Sequence, residues 1–430
     1  MSYADFLATK TAGVDEFGIG VGDDAVHPYL HPWQAEIVTW AANRGRAAIW
    51  ADTGLGKTLM QIEWARLMTG PGESALIVAP LAVCAQTVRE AEKVGVTATY
   101  VRSGDLVGPG LYVTNYEMVD HFDPHLFAAV VLDEASILKS HDGKTRTKLI
   151  QHFAPVPYRL ACTATPAPND PEELTNQAEF LGVMSRVNML AAYFIHDSDG
   201  WRLKGHARSP MFQWMASWAV AIRRPSDMGY PDDGYILPGL NIESHTVAVE
   251  MEQDGQLFAT DLGGVGGRAA VRRSTMQARC ERAAALVAAE PDEPWLIWCG
   301  LNDEADLLAK LIPGAVNVHG GWSPEDKAAA LLGFADGSIR RLITKPSLAA
   351  FGLNWQHCAR MVFVGLSDSY EAYYQSIRRC FRYGQERVVD VHIVLSQLEA
   401  QIADNVRRKE QDAAMVAQQM VRAMQEGRNA

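Results

Sequence analysis

Residues 47–58 read Ala47-Ala48-Ile49-Trp50-Ala51-Asp52-Thr53-Gly54-Leu55-Gly56-Lys57-Thr58, and this stretch decides the fold. A short apolar strand runs into a glycine-bearing turn, and the turn opens a helix over 59–67. Glycines in such a turn let backbone N–H groups point inward and wrap phosphate oxygens, while the helix N-terminus adds positive dipole. Lys57 is placed to reach the β- and γ-phosphates of a nucleotide, and the Thr58 hydroxyl to ligate Mg²⁺. Thr53, Gly54, Leu55, Gly56, Lys57 and Thr58 are therefore the expected cradle for ATP. The strict pattern has glycine where this chain has Ala51. A plain glycine turn before a helix is the bland alternative, and the intact Gly56-Lys57-Thr58 after a strand weighs against it.

Working outward, short apolar runs recur at 75–80, 110–114, 128–132 and 158–163, each bounded by Gly, Pro or charge. Such runs read as strands buried on both faces and separated by helices, the signature of a parallel α/β sheet. The pattern breaks after Leu181. Residues 184–236 read as helical and irregular, an alternating strand follows at 245–251, and 255–290 reads as helical around Gly263-Gly264-Val265-Gly266-Gly267. A second α/β series follows, with strands expected at 295–299, 315–318, 341–344, 361–364 and 388–395. Residues 396–430 have helical spacing. No fixed-period repeat or low-complexity tract is present.

Val130-Val131-Leu132-Asp133-Glu134 ends an apolar strand on two adjacent acids. Beside a phosphate loop, Asp133 is expected to hold Mg²⁺ and Glu134 to polarise the attacking water. Taken alone, the pair is as often a helix cap. Its place about 75 residues after Lys57, at the end of an expected parallel strand, favours the site, because ligands of such sheets bind at the carboxyl ends of strands. Arg379 and Arg382, three apart in Gln375–Gln385, are expected on one helix face. Aimed at a γ-phosphate they would neutralise transition-state charge; taken alone they read as a solvated basic face.

The chain has 430 residues, ample for a sizeable core. Hydrophobic residues are 48% and charged residues 21%, which excludes disorder, collagen and coiled coil as whole-chain descriptions. The net charge of −12 excludes coating of nucleic acid through bulk charge and leaves room for a local basic groove. No two of the six cysteines lie closer than nineteen residues, which disfavours zinc ribbons, iron–sulfur clusters and a disulfide scaffold. Met1–Lys10 shows no signal-peptide pattern, and no apolar run is long enough for a membrane span, so the cytoplasm is the expected compartment.

These motifs together resemble the superfamily 2 helicase-type ATPases of the Swi/Snf branch, in the compact form that phages and prophages encode. The resemblance covers roughly 29–395. Leu30-His31-Pro32-Trp33-Gln34 is similar to the adenine-reading Q motif, with Gln34 the implied base contact. Ala51–Thr58 is similar to motif I, Val78-Ala79-Pro80 to motif Ia and Thr114-Asn115-Tyr116-Glu117 to motif Ib. Asp133-Glu134-Ala135-Ser136 stands in the place of motif II, Thr163-Ala164-Thr165-Pro166 in that of motif III, and Gly352-Leu353-Asn354 in that of motif V. Gln375–Gln385 matches the Q-x-x-x-R-x-x-R-x-G-Q of motif VI, which makes Arg379 and Arg382 the implied fingers. Arg223-Arg224 and Leu237-Pro238 resemble the connection between the two core domains. Motif II ends in Ser136 rather than His or Asp, and Ala349-Ala350-Phe351 replaces the usual glycines of motif V.

The resemblance implies two tandem RecA-like parallel-sheet domains with a helical insertion between them and a C-terminal helix. The expected boundaries are a flexible arm over 1–24, a first domain over 25–183, the insertion over 184–243, a second domain over 244–395 and the helix over 396–430. ATP and Mg²⁺ are the implied cofactors. The implied partner is DNA, with duplex favoured over single strands and either over RNA; no membrane is involved. Thr114, Asn115, Lys139, Lys144, Asn354, Arg272 and Arg273 are the expected nucleic-acid contacts, the basic ones reading backbone phosphate without base specificity. Trp214 and Trp218 are expected to pack as a satellite core rather than stack on bases, and Cys162 to pack rather than react. The twelve histidines show no ligand spacing, so no metal besides Mg²⁺ is expected. A catalytically weak clamp, an RNA-directed helicase and a P-loop kinase with a small acceptor are the competing readings.

Overall fold

The structure, a computed structural model, describes residues 17–139, 143–198, 200–248, 272–349, 354–367 and 369–428. The glycine tract 263–267, Arg268, the first part of the expected helix 255–290, most of the expected arm and the start of motif V lie outside them. The chain divides into two compact units, Met1–Tyr235 with Glu410–Ala430, and Ile236–Lys409.

The first unit is built on a seven-stranded sheet. Its strands are β1 Arg46–Ala51, β2 Ser74–Ala79, β3 Ala98–Tyr100, β4 Gly110–Asn115, β5 Ala129–Asp133, β6 Tyr158–Thr163 and β9 Ala219–Ile222. Their order is β3-β4-β2-β5-β6-β1-β9, and every pairing is parallel. Strands β1, β2 and β5 are buried almost end to end, so both faces need helical cover, and their sequences are accordingly apolar without alternation. The helices Pro32–Arg44 and Lys57–Leu67 supply part of that cover with Trp33, Ile37, Met60, Ile62 and Trp64. Full burial of each such side chain contributes roughly 1.5–3 kcal/mol. A two-stranded antiparallel ribbon, β7 Phe194–Asp197 and β8 Gly200–Leu203, completes the unit's strands among the described residues.

The expected insertion over 184–243 does not stand apart. β9 pairs with β1, and the Asp52 amide donates to the Ile222 carbonyl at 2.9 Å, so this segment props the phosphate loop. Trp214 and Trp218 are buried with ring centroids 5.5 Å apart, and Trp50 meets Trp218 at 5.8 Å. The satellite core is thus continuous with the main one, although the helix Arg208–Met215 ends before Trp218. Burial of these rings against β1 is what draws 184–235 into the first unit.

The second unit holds a six-stranded parallel sheet of β10 Leu240–Val247, β11 Trp295–Cys299, β12 Val316–Asn317, β13 Arg341–Thr344, β14 Arg360–Val364 and β15 Val389–Ser396. Their order is β10-β15-β14-β11-β13-β12. β10 starts five residues earlier than the expected strand. The unit boundary falls between Tyr235 and Ile236, inside the expected connection 223–238. The helix Ala400–Arg428 starts four residues later than expected, and its residues from Glu410 onward group with the first unit. There Met424 Sδ accepts the Ala221 amide at 3.1 Å, capping an N–H of the edge strand β9. Among the described residues no helix is long and apolar enough to cross a membrane.

Candidate active site

In the first sheet β6 lies between β5 and β1, so the loops after β1, β5 and β6 open side by side at the carboxyl edge. That adjacency brings the phosphate loop, the acidic pair and Thr163 together from positions far apart in sequence. Gly54 and Gly56 have φ of +92° and +73°. These left-handed values cost glycine little and other residues more. A Cβ on Gly56 would meet Gln34 Nε2 at 2.4 Å, so the loop closes where only glycine fits. Lys57 Nζ, half-buried, donates to the carbonyls of Ala51 at 2.7 Å and Asp52 at 3.4 Å. The lysine therefore lies along the inner rim of its own loop. Thr53 N donates to Asp52 Oδ1 at 2.6 Å.

Asp133 closes β5 and is buried. Gln61 Nε2 donates to its Oδ1 at 2.7 Å, and Tyr116 Oη donates to its backbone carbonyl at 2.5 Å. Burial pushes the Asp133 carboxyl above its ordinary range, while the bond from Gln61 and the nearby Lys57 ammonium pull the other way. Glu134 is the single non-glycine residue with positive φ among the described residues, at φ 56° and ψ 53°. That conformation costs a side-chain-bearing residue roughly 1–2 kcal/mol, and such strain clusters at functional sites. It re-aims the chain straight after Asp133, and Thr163 Oγ1 comes within 3.5 Å of Glu134 Oε2. Thr163 in turn accepts the Thr165 amide at 3.1 Å, tying the segment after β6 to the acid.

A nucleotide–Mg²⁺ pair fits this residue set: glycine-only backbone donors, one ammonium, one hydroxyl at Thr58, and a buried carboxylate beside a strained one. Thr53–Thr58 would hold the phosphates, and Thr58 with Asp133 the cation. Bound Mg²⁺ would neutralise phosphate charge.

Gln34 lies against the phosphate loop. Its Nε2 donates to the Leu55 carbonyl at 2.9 Å and its Oε1 accepts the His31 amide at 2.9 Å. Both ends of the amide are engaged with the chain, so Gln34 braces the phosphate loop. Gln61 was missed by sequence reasoning. The available signal was its position four residues after Lys57, on the same face of one helix.

Two expected nucleic-acid contacts are corrected. Thr114 is fully buried with its hydroxyl donating to the Val101 carbonyl at 2.8 Å. Asn115 is buried, accepting from Tyr100 Oη at 2.8 Å and donating to Glu117 at 2.5 Å. Both close the interior strand β4, which turns their polar groups to neighbours inside the fold. In the basic stretch 139–148, Lys144 is exposed and Lys139 half-buried. Arg146 pairs with Glu179, and Lys148 with Asp120 at 2.5 Å.

In the second unit Arg272 is engaged within the fold. It pairs with the fully buried Glu304 at 3.1 Å, as Arg279 does at 2.9 Å. Two guanidiniums on one carboxylate hold Glu304 below its usual range against the opposing effect of burial. Arg272 is thus half-buried and held by an ion pair, whereas Arg273 and Asn354 are exposed. The helix Tyr370–Ile377 ends before Arg379 and Arg382, so the two arginines lie in the turns that follow and not on one helix face. Arg379 is buried, with Nη2 at 3.5 Å from Gln375 Oε1. Arg382 is half-buried and its Nε has no hydrogen-bond partner. Burial, with Arg378 nearby, lowers its guanidinium to about 10, which leaves it charged at neutral pH. Cys162 is a buried β6 residue whose thiol is pushed up by desolvation, an inert packing group as expected.

Residues 33–186 match the model of the SNF2-related domain, and residues 278–384 that of the helicase conserved C-terminal domain. Among solved structures, the chain aligns with the "Sulfolobus solfataricus SWI2/SNF2 ATPase core in complex with dsDNA" at 16% identity and a TM-score of 0.45, over 94% of this chain and 96% of that one. No curated protein sequence matches the chain.

Proposed function

We propose, for a chain that belongs to the Swi/Snf-like branch of the superfamily 2 helicase-type ATPases, that ATP hydrolysis drives movement along duplex DNA. The observation that carries the reading is the convergence of Lys57, Asp133 and the left-handed Glu134 at adjacent strand ends. Lys57 and Thr58 take the phosphates and, with Asp133, the cation. Glu134 polarises the attacking water, held in line by Thr163. The first unit's cradle supplies one ammonium to a transition state that spreads charge over three phosphate oxygens. Arg379 and Arg382 of the second unit supply the remainder when the units close on nucleotide in the working cycle. Hydrolysis and release then alternate the grip on the strand, a coupling free energy between nucleotide and DNA sites. Lys139, Lys144, Arg273 and Asn354 remain as the strand contacts. Six buried thiols fit a reducing cytoplasm.

The test is ATP turnover by the full chain alone and with single-stranded DNA, duplex DNA or RNA. Duplex DNA is expected to stimulate most. Equal rates under all four conditions remove the motor reading, stimulation by RNA alone moves it to RNA, and absent turnover leaves a clamp.

A further inference from the structure

At the edge of the second sheet, strand pairing gathers three ligand-type side chains beside the helix Met276–Ala289. Glu243 and His245 lie two apart on β10 and so share a face. His392 on β15 is the register partner of Glu243. Their ligand atoms all lie within 4.8 Å of one another, the one such convergence of His, Cys, Asp or Glu among the described residues. His245 Nε2 is 3.0 Å from His392 Nδ1, and Glu243 Oε2 is 3.7 Å from the same His392 nitrogen. The two imidazoles are largely covered, with 8% and 13% of their side chains exposed, while Glu243 faces water at 66%. Trp295 stacks on His392 with centroids 5.8 Å apart and fixes the ring plane.

We infer that Glu243, His245 and His392 form a binding site for one Zn²⁺-type cation, with solvent completing the coordination. Tetrahedral zinc with bonds of about 2.0–2.1 Å separates two nitrogen ligands by roughly 3.3 Å, so the rings need open by only a few tenths of an ångström. Arg282 Nη2 sits 3.1 Å from His245 Nδ1. An arginine only donates, so it places the His245 proton on Nε2, aimed at His392 Nδ1. The cation takes the Nε2 position, that proton moves through solvent to His245 Nδ1, and the exposed Arg282 side chain, no longer met by a lone pair there, swings away. β10 is an edge strand bonded to β15 alone, so a metal bridge across this pair cross-links the strand that begins the second unit's sheet. The sequence pattern concealed the site because ligands two apart on a strand, with the third 147 residues on, have none of the short helical or finger spacings.

The test titrates ZnCl₂ into the full chain by calorimetry, and CoCl₂ with visible absorption as a readout of tetrahedral coordination. One equivalent should bind, and thermal unfolding should shift upward with metal. His245→Ala and His392→Ala should each weaken binding by about ten-fold or more. Arg282→Met should tighten it, a reading that survives if either alanine variant fails to fold. The inference is overturned by absence of saturable binding, by binding that both alanine variants retain, or by an Arg282→Met variant with weakened affinity.

Discussion

Gln61 Nε2 donates to Asp133 Oδ1 at 2.7 Å, and this bond joins the helix behind the phosphate loop to the carboxyl end of β5. It is the largest of three influences that oppose the upward push of burial on Asp133, the others being Lys57 and the Glu134 amide. Gln61→Leu therefore raises Asp133 further, and more of the chain carries a protonated Asp133 at mildly acidic pH. The acid limb of the ATPase pH profile should move to higher pH, with a stability loss of about 1–3 kcal/mol for the unpartnered buried carboxyl. An unmoved acid limb would mean that the bond does no more than pack the helix.

The loop itself is tested at Gly56. Alanine there meets both the positive φ and the Gln34 amide, which is pinned at both ends. Gly56→Ala should lose about 1–3 kcal/mol of stability and most ATP affinity. Unchanged nucleotide binding by fluorescence titration would show that the loop tolerates a second conformation.

Glu134→Gln preserves size and the backbone while removing the charge that polarises water. Turnover should fall by about 10²–10⁴-fold with ATP binding retained. Near-normal turnover would take Glu134 out of the general-base role.

Burial raises the Glu173 carboxyl from 4.5 to about 7, against the bonds it accepts from Asn169. The folded chain keeps a proton there that the unfolded chain releases above about 4.5. Its stabilising contribution is thus present below pH 4.5 and lost as pH rises through 7. Glu173→Gln should remove that component from thermal unfolding measured between pH 4.5 and 8. An identical pH dependence in the variant would contradict the assignment.

Much of the fold was legible because parallel strands covered on both faces write themselves as unbroken apolar runs. Tyr158–Thr163, Trp295–Cys299 and Arg341–Thr344 fall where those runs predict. Edge strands lacked that signature. β3 has three residues, two of them exposed, and β9 follows a tryptophan-rich stretch whose affiliation only packing against Trp50 reveals. Lys57, Asp133 and Glu134 were legible because their chemistry is tied to strand ends. Thr114 and Asn115 misled because a motif position carries no information on which side chains the interior engages. Arg379 and Arg382 were assigned helical geometry by extending the spacing past Ile377, where the chain turns instead.

The central claim is that cationic side chains of the second unit complete the charge shell begun by Lys57. Arg382→Ala tests it most directly, by ATP affinity and single-turnover hydrolysis measured on the full chain with duplex DNA. The account predicts near-native affinity and folding with turnover reduced about 10³-fold or more. Native turnover in a folded Arg382→Ala chain would contradict it.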